Sequence, residues 1–242
     1  MLKQDAMTPL YVQLMNEIER DIREGIYKAG DKIMTEAEMA KEYGVSLITI
    51  RKAVGSLMEK GLVVRKQGKG TFVTKPKFSR NIKRLQSFSE MCRQMGVEPG
   101  ARMLENCLVD VDAKTAARLG VDPGSKVVYI CRLRFADSEP VVIEKNYFPL
   151  KYAFLLDARF DDNSLFDFLR EKGNFRVDSS EKLIELCRAT AEEAELLDVK
   201  KGDYLMFVRS TAYDSENEPL YAGVQIINGD RFSLYVYETS GE

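Results

Sequence analysis

The chain has 242 residues, 45% apolar and 31% charged, with 36 Lys and Arg against 38 Asp and Glu. That is an ordinary composition for a globular protein in water, and the lack of an apolar run of about 18 residues argues against a membrane-spanning helix. No histidine is present, so the usual general base is missing and Ser-His triads and His-metal hydrolases are excluded.

Four widely spaced cysteines (Cys92, Cys107, Cys131, Cys187) form no Cys-x-x-Cys pair, and without histidine the common zinc sites lack ligands. They read as reduced, buried thiols. No metal or cofactor is expected. The first residues hold no apolar signal core, which predicts a cytoplasmic protein. Charge is unevenly spread: residues 1–75 carry 13 Lys and Arg against 10 Asp and Glu, and the rest carries 23 against 28. A slightly basic first part joined to an acidic second part suits a nucleic-acid module attached to something else.

In chain order, Thr8 and Pro9 open a first helix, with Thr8 as cap and Pro9 in the first turn. Tyr11, Leu14, Met15, Ile18 and Ile22 recur on one face. The helix ends at Gly25 and residues 28–31. Thr35 and Glu38 have the spacing of a capping box for a short second helix, and Gly44 can close it in the left-handed conformation. Only three residues separate Glu42 from Ser46, the cap of a third helix. So short a connection sets the two helices at a steep angle, as in a helix-turn-helix. Ile50, Ala53, Val54 and Leu57 are the core stripe of the third helix, and residues 46–52 are the ones such a helix presents to DNA. Two short strands, residues 62–65 and 71–73, flank a tip of Lys66, Gln67, Gly68, Lys69 and Gly70. The glycines permit close backbone approach and the lysines supply charge toward phosphate, which makes this hairpin a wing.

Residues 76–82 read as a linker. Beyond them the pattern predicts a helix over 87–95, a strand over 103–111, and a helix over 113–119 capped by Asp112. A hairpin follows, 126–135 and 141–148 across a loop at 136–140. Next come a helix over 164–171 capped by Asn163, a strand over 176–187, and a helix over 191–197 capped by Thr190. Three strands close the chain, at 204–213, 220–227 and 232–237. Hairpins with interspersed helices predict an antiparallel α+β domain. Arg132 and Arg134 share one strand face. They could form an anion clamp; an odd-length loop would instead set Arg132 opposite Glu144 as an ion pair.

The first part, through Pro9, Leu10, Tyr11, Gln13, Gly30, Asp31, Glu36, Gly44, Val45, Ser46, Thr49, Ile50, Arg51, Lys52, Ala53, Leu57, Gly61 and the run from Gly68 to Val73, resembles the winged helix-turn-helix of GntR-family bacterial transcription regulators. The second part looks like the UTRA effector domain of the HutC branch, on Ser87, Phe88, Ser89, Glu90, Gly100, Arg132, Leu133, Arg134, Pro140, Glu144, Ser164, Leu165, Phe166, Gly229, Asp230, Arg231 and Phe232. The implied fold class is a two-domain chain: an α+β winged helix over 1–75 and a chorismate-lyase-like α+β antiparallel-sheet domain over 83–242.

The resemblance implies a homodimeric regulator, by family habit a repressor, on a palindromic double-stranded operator. The candidate DNA contacts are Thr35, Glu36, Ser46, Thr49, Arg51, Lys52, Lys66, Gly68, Lys69, Gly70 and Thr71. A small anionic metabolite would bind the second domain. Arg132 and Arg134, with Ser89 and Ser164, would grip its phosphate or carboxylate, and Glu144 a polar group. Phe166 and Tyr221 stand where sugar-phosphate binders of the family commonly carry Tyr and an acidic residue, which makes a phosphosugar the leading candidate. The alternative is a lyase-like enzyme domain. Its chemistry would rest on Arg132, Arg134 and Glu144, with no second poised carboxylate. Two departures stand out, because the family usually has arginine where this chain has Leu47 and often a basic residue at Ala37. They imply an altered operator or weaker binding. At 100° per residue Leu47 lies within about 60° of the core stripe, which predicts that it packs inward.

Overall fold

The structure, a computed structural model, describes residues 8–66, 68–74, 77–81, 85–161, 164–172 and 175–236, with the backbone alone at 79–81. Gln67 at the wing tip, Lys75 at the end of the expected winged helix, Pro76 and Ile82 of the expected linker, the expected cap Asn163 and the strand end at Tyr237 lie outside the described residues. The chain divides into two units, 1–76 and 77–242.

In the first unit, α1 (Leu10–Arg23), α2 (Glu36–Tyr43) and α3 (Leu47–Glu59) pack around Leu14, Ile18, Met39, Ile50, Ala53 and Leu57. Each buried Leu or Ile removes enough apolar surface from water for roughly 1.5–3 kcal/mol. The expected cap of α1 is corrected. Pro9 is the N-cap residue and no side chain caps the helix; the Thr8 carbonyl instead accepts from Gln13 Nε2 at 2.7 Å. The N-cap side chain is the one placed to accept from the N–H groups of the first turn, and proline at that position has no oxygen to offer.

The capping box of α2 is present in both directions: Glu38 N–H donates to Thr35 Oγ1, and Glu38 Oε2 accepts from Thr35 N–H. Gly44, at φ 63°, ends the helix in the left-handed region. Ser46 Oγ accepts from the Thr49 N–H and starts α3. The wing is β1 (Val63–Lys66) against β2 (Gly70–Val73), antiparallel, with Lys66 opposite Gly70. The segment before α2 joins it: Ile33 N–H donates to Thr71 O, and Val73 N–H to Asp31 O. Sequence patterning did not show this third edge.

The second unit is built on a six-stranded antiparallel sheet. Its strands are β4 (Pro99–Asp110), β5 (Lys126–Ala136), β6 (Glu139–Phe148), β7 (Ser179–Arg188), β8 (Tyr204–Tyr213) and β9 (Pro219–Asn228), in spatial order β4-β5-β6-β9-β8-β7. Residues 78–81, inside the expected linker, form a strand instead: β3 (Phe78–Asn81) runs parallel to β10 (Phe232–Tyr235). Phe78 and Phe232 bury against the apolar face of α4 (Phe88–Gln94), so burial of this aromatic pair outweighs the polar appearance of the segment.

The β5–β6 loop is two residues, Asp137 and Ser138, both at positive φ (48° and 66°), not the five expected. A two-residue turn alone would set Arg132 opposite Ile143. A bulge between Arg134 and Phe135 shifts the register by one, and Arg132 faces Glu144. A one-residue slip would have sent every side chain of the strand to the wrong face.

One sheet face, with Tyr129, Cys131, Leu133, Ile143, Leu205 and Ile226, is covered by Ala194 and Leu197 from and beside α7 (Ala191–Leu196). The other face is apolar at its two ends. Val142, Val208 and Ile227 pack under α4 at one end, and Val128, Ile130 and Phe148 pack under α6 (Leu165–Lys172) at the other. Polar side chains occupy the middle. Helix α5 (Ala113–Leu119) is capped by Asp112 and closed by Gly120 as expected.

Candidate functional sites

The first candidate surface is α3 with the wing. Arg51 and Lys52 are exposed. Arg51 Nε donates to Glu36 Oε2 at 2.9 Å, and the other Glu36 oxygen takes Arg65 Nη2 from the wing. Glu36 is thus an arginine holder, and Arg65, absent from the sequence-based set, belongs to the same cluster. The signal that could have found it is strand parity in the wing, which needs the fold to be used. Lys52 Nζ sits 4.0 Å over the Tyr11 ring of α1. Thr49 and Ser46 hydroxyls are 2.9 Å apart. Thr35 is exposed in its capping box. Lys66 and Lys69 are exposed at the wing tip, with Gly68 between them and Gly70 beyond.

Leu47 does not pack inward. It is 44% exposed and Ile48 is 76% exposed. Val45, from the turn before the helix, is packed against the core, and Leu47 is not. The helix begins at Leu47, so its side chain starts beyond the packed turns.

The second candidate site is a cavity of about 460 Å³ on the polar middle of the sheet, within the range typical of small-molecule sites. Register builds its floor. Asn146 on β6 faces Gly223 on β9, Gly223 faces Ser210 on β8, and Ser210 faces Lys182 on β7. Strands lie about 4.8 Å apart, so this row spans roughly 15 Å. Gly223 leaves the row open: a Cβ there would sit 2.9 Å from Ser210 Oγ and 3.4 Å from Asn146 Oδ1. Asn146 is 2% exposed, and its Nδ2 is buried with no hydrogen-bond partner among the described residues. A wall of Phe166, Phe175 and Tyr221, with ring centroids 5.2–6.3 Å apart, closes one side. Arg170 and Arg176 also line the cavity. Arg170 Nη2 reaches Glu90 Oε1 at 3.0 Å and so ties α6 to α4, the helices above the sheet.

Of the two arrangements the sequence left open for the arginines, the structure shows the ion pair of Arg132 with Glu144. Arg132 is 0% exposed and pairs with Glu144. Arg134 donates to Ser89 Oγ at 2.9 Å and to Gly100 O at 3.2 Å, stands 3.6 Å from Glu144, and lies over the Phe88 ring. Neither arginine lines the cavity, and neither do Ser89 and Ser164. Ser164 Oγ accepts from Asp167 N–H at the start of α6. The structure therefore brings Ser89, Arg132, Arg134 and Glu144 into one buried cluster, while Glu144, Phe166 and Tyr221 reach the cavity. The physical reason is the register: a carboxylate directly across the strand pair takes the guanidinium that would otherwise need a ligand.

Two buried arginines around one carboxylate leave an excess positive charge beside the cavity. Burial, then the like charge of Arg132, pushes the Arg134 guanidinium down to about 10, against the pull of Glu144. Burial pushes the Glu144 carboxyl up, but Arg132 and Arg134 outweigh it and hold it below the usual carboxylate range. Gln225 Nε2 also donates to Glu144 Oε1 at 3.3 Å. The sequence missed Asn146, Ser210, Lys182, Gly223 and Gln225. Asn146 was within reach, since it stands two residues from Glu144 on the same strand face. The others need the strand order.

The geometry agrees with relatives of known family. Residues 10–73 match the model of bacterial regulatory proteins of the gntR family, and residues 94–233 match the UTRA domain. The chain belongs to the GntR family. It is similar to the uncharacterized HTH-type transcriptional regulator YurK of Bacillus subtilis, 32% identical over 98% of both chains. It is also similar to the HTH-type transcriptional repressor NagR of the same organism, 29% identical over 98% of this chain and 97% of that one. The crystal structure of PhnF from Mycobacterium smegmatis shares the fold, with TM-score 0.67 and 24% identity over 94% of this chain and 99% of that one. GntR-family members with this architecture are transcription regulators, not enzymes. They bind DNA through the winged helix and small effectors through the UTRA domain. Among the described residues no helix is long and apolar enough to cross a membrane.

Proposed function

We propose that this chain is a cytoplasmic, homodimeric repressor whose UTRA cavity takes a small anionic metabolite, with a phosphosugar as leading candidate. Residues 1–75 would hold a palindromic operator, and residues 83–242 would bind the effector and self-associate. One observation carries the effector reading: the buried, unpartnered Nδ2 of Asn146, aligned with Ser210 and Lys182 along the cavity floor. A buried donor without an acceptor costs about 1–3 kcal/mol, and an oxygen-rich ligand removes that cost. The aromatic wall offers flat apolar surface to a sugar ring. Arg170, Arg176 and Lys182 line the cavity, and the net-positive Arg132–Glu144–Arg134 cluster favours an anion.

Support for self-association comes from β7, an edge strand with Leu183, Ile184 and Leu186 exposed; such an edge is a ready template for pairing. Repression is supported by the name of the relative NagR. Effector control requires the ligand to bind the DNA-competent and DNA-released states with different affinity.

The test is isothermal titration of the full chain with a panel of sugar phosphates and their unphosphorylated counterparts, alongside operator gel shifts. Binding that needs the phosphate, is lost in Asn146→Asp and changes operator affinity is the expected result. Equal binding of the neutral sugars, or an Asn146→Asp variant of full affinity, overturns the effector reading.

A further inference from the structure

Leu47 and Ile48 are large apolar side chains, 44% and 76% exposed, on the first turn of the recognition helix α3. Both lie on rows that continue into basic residues, because positions four apart share a helix face. Leu47 is followed by Arg51, and Ile48 by Lys52. On this face, cations suited to DNA stand one turn beyond two hydrophobes that gain nothing from water or from a phosphate. Neither side chain is among those packed into or against the core of this unit. One apolar group is presented in the major groove of DNA: the C5-methyl of thymine.

We infer that Leu47 and Ile48 read thymine methyl groups, so that the operator half-site carries thymine at the positions facing the first turn of α3. This rests on the DNA-binding role of the winged helix and adds the base preference of two named residues. Arginine at position 47 would instead favour guanine, whose O6 and N7 accept a bidentate pair. The substitution therefore changes which base is read and does not merely remove a contact.

The test begins with selection of duplexes from a random-sequence pool by the full chain. Each thymine of the enriched half-site is then replaced by deoxyuridine, which differs only by the missing methyl. For the wild type, one or two positions per half-site should each lose about fourfold in affinity, the equivalent of one methyl group's burial at about 0.8 kcal/mol. Leu47→Ala or Ile48→Ala should be insensitive to deoxyuridine at its own position. Both residues are exposed and alanine favours helix, so these variants keep the fold. An enriched half-site in which every thymine tolerates deoxyuridine overturns the inference. So does a deoxyuridine penalty that persists in both variants, and so does a change in self-association with no change in base preference. Failure to enrich any sequence refutes the DNA-binding role itself and removes the inference with it.

Discussion

The Nε of Arg51 and the Oε2 of Glu36 are 2.9 Å apart, and Arg65 holds the second oxygen of the same carboxylate. Glu36 therefore fixes a recognition-helix arginine against the wing. Planar guanidinium groups held this way lose little further freedom on meeting a base or phosphate. An acidic residue facing a polyanion would otherwise be a liability.

Two substitutions separate the roles. Arg51→Ala should cost about 1–3 kcal/mol of operator affinity. Glu36→Ala removes a negative charge and frees two arginines, so affinity for scrambled DNA should rise while the ratio of operator to scrambled affinity falls. Parallel gel-shift titrations at one fixed salt concentration read both. Unchanged discrimination in Glu36→Ala would show that the carboxylate does not orient Arg51.

Glu144→Gln leaves Arg132 and Arg134 buried around a neutral group. Breaking a buried pair from one side costs about 3–5 kcal/mol, which for a domain of this size lowers the melting temperature on the order of 10 °C. The pH dependence has a definite sign. Glu144 is held below the usual carboxylate range when folded, so its stabilisation is complete above the unfolded value and fades as pH falls through the lowered folded value. Urea denaturation between about pH 3 and pH 7 should therefore show wild type and Glu144→Gln converging in acid. A gap that stays constant would refute the charge account.

Gly223→Ala tests the cavity floor. The new Cβ would crowd Ser210 Oγ at 2.9 Å and the Tyr221 ring at 3.3 Å. The backbone there is ordinary strand with no positive φ, so the substitution fills space without straining the chain. Effector affinity should fall on the order of tenfold or more, with the melting temperature shifted by only a few degrees. Titration with whichever sugar phosphate binds the wild type, paired with a thermal melt, distinguishes a filled site from a damaged fold.

What could be read from the sequence follows the range of the forces involved. The capping pair Thr35–Glu38, the caps Ser46 and Asp112 and the left-handed Gly44 are local, and all stand where patterning put them. The α+β class and the core stripe of α3 follow from periodicity. Register is different. The bulge near Arg134 that sets Arg132 opposite Glu144 comes from one extra residue in one strand, which composition does not announce. The cavity floor needs four strands in the order β6-β9-β8-β7, so Asn146 and Lys182 come together from positions 36 residues apart. The exposure of Leu47 was not legible for a simpler reason: helical angle places a side chain on a face, but cannot say whether the core reaches as far as the first turn of the helix.

The wing offers a contrast with Arg51. Lys66 and Lys69 are exposed at a hairpin tip whose backbone turns at Gly68 and Gly70, with φ of 75° and 125°. At Gly70 a Cβ would also strike the Lys32 side chain at 2.5 Å, so the tip is shaped by the absence of side chains, and flexible ammonium groups stand beside it. Such groups act as point charges toward phosphate and carry no base information. Lys66→Ala and Lys69→Ala should therefore weaken operator and scrambled DNA by the same factor. Each should lower the slope of log affinity against log salt by about one, the release of roughly 0.9 counterion per contact. Arg51→Ala, if Arg51 meets a base edge, should leave that slope nearly unchanged and relax the sequence at one position. Salt titrations of the three variants on both duplexes decide the matter. A lysine variant that loses discrimination but keeps its slope would place that lysine on a base edge instead of the phosphate backbone.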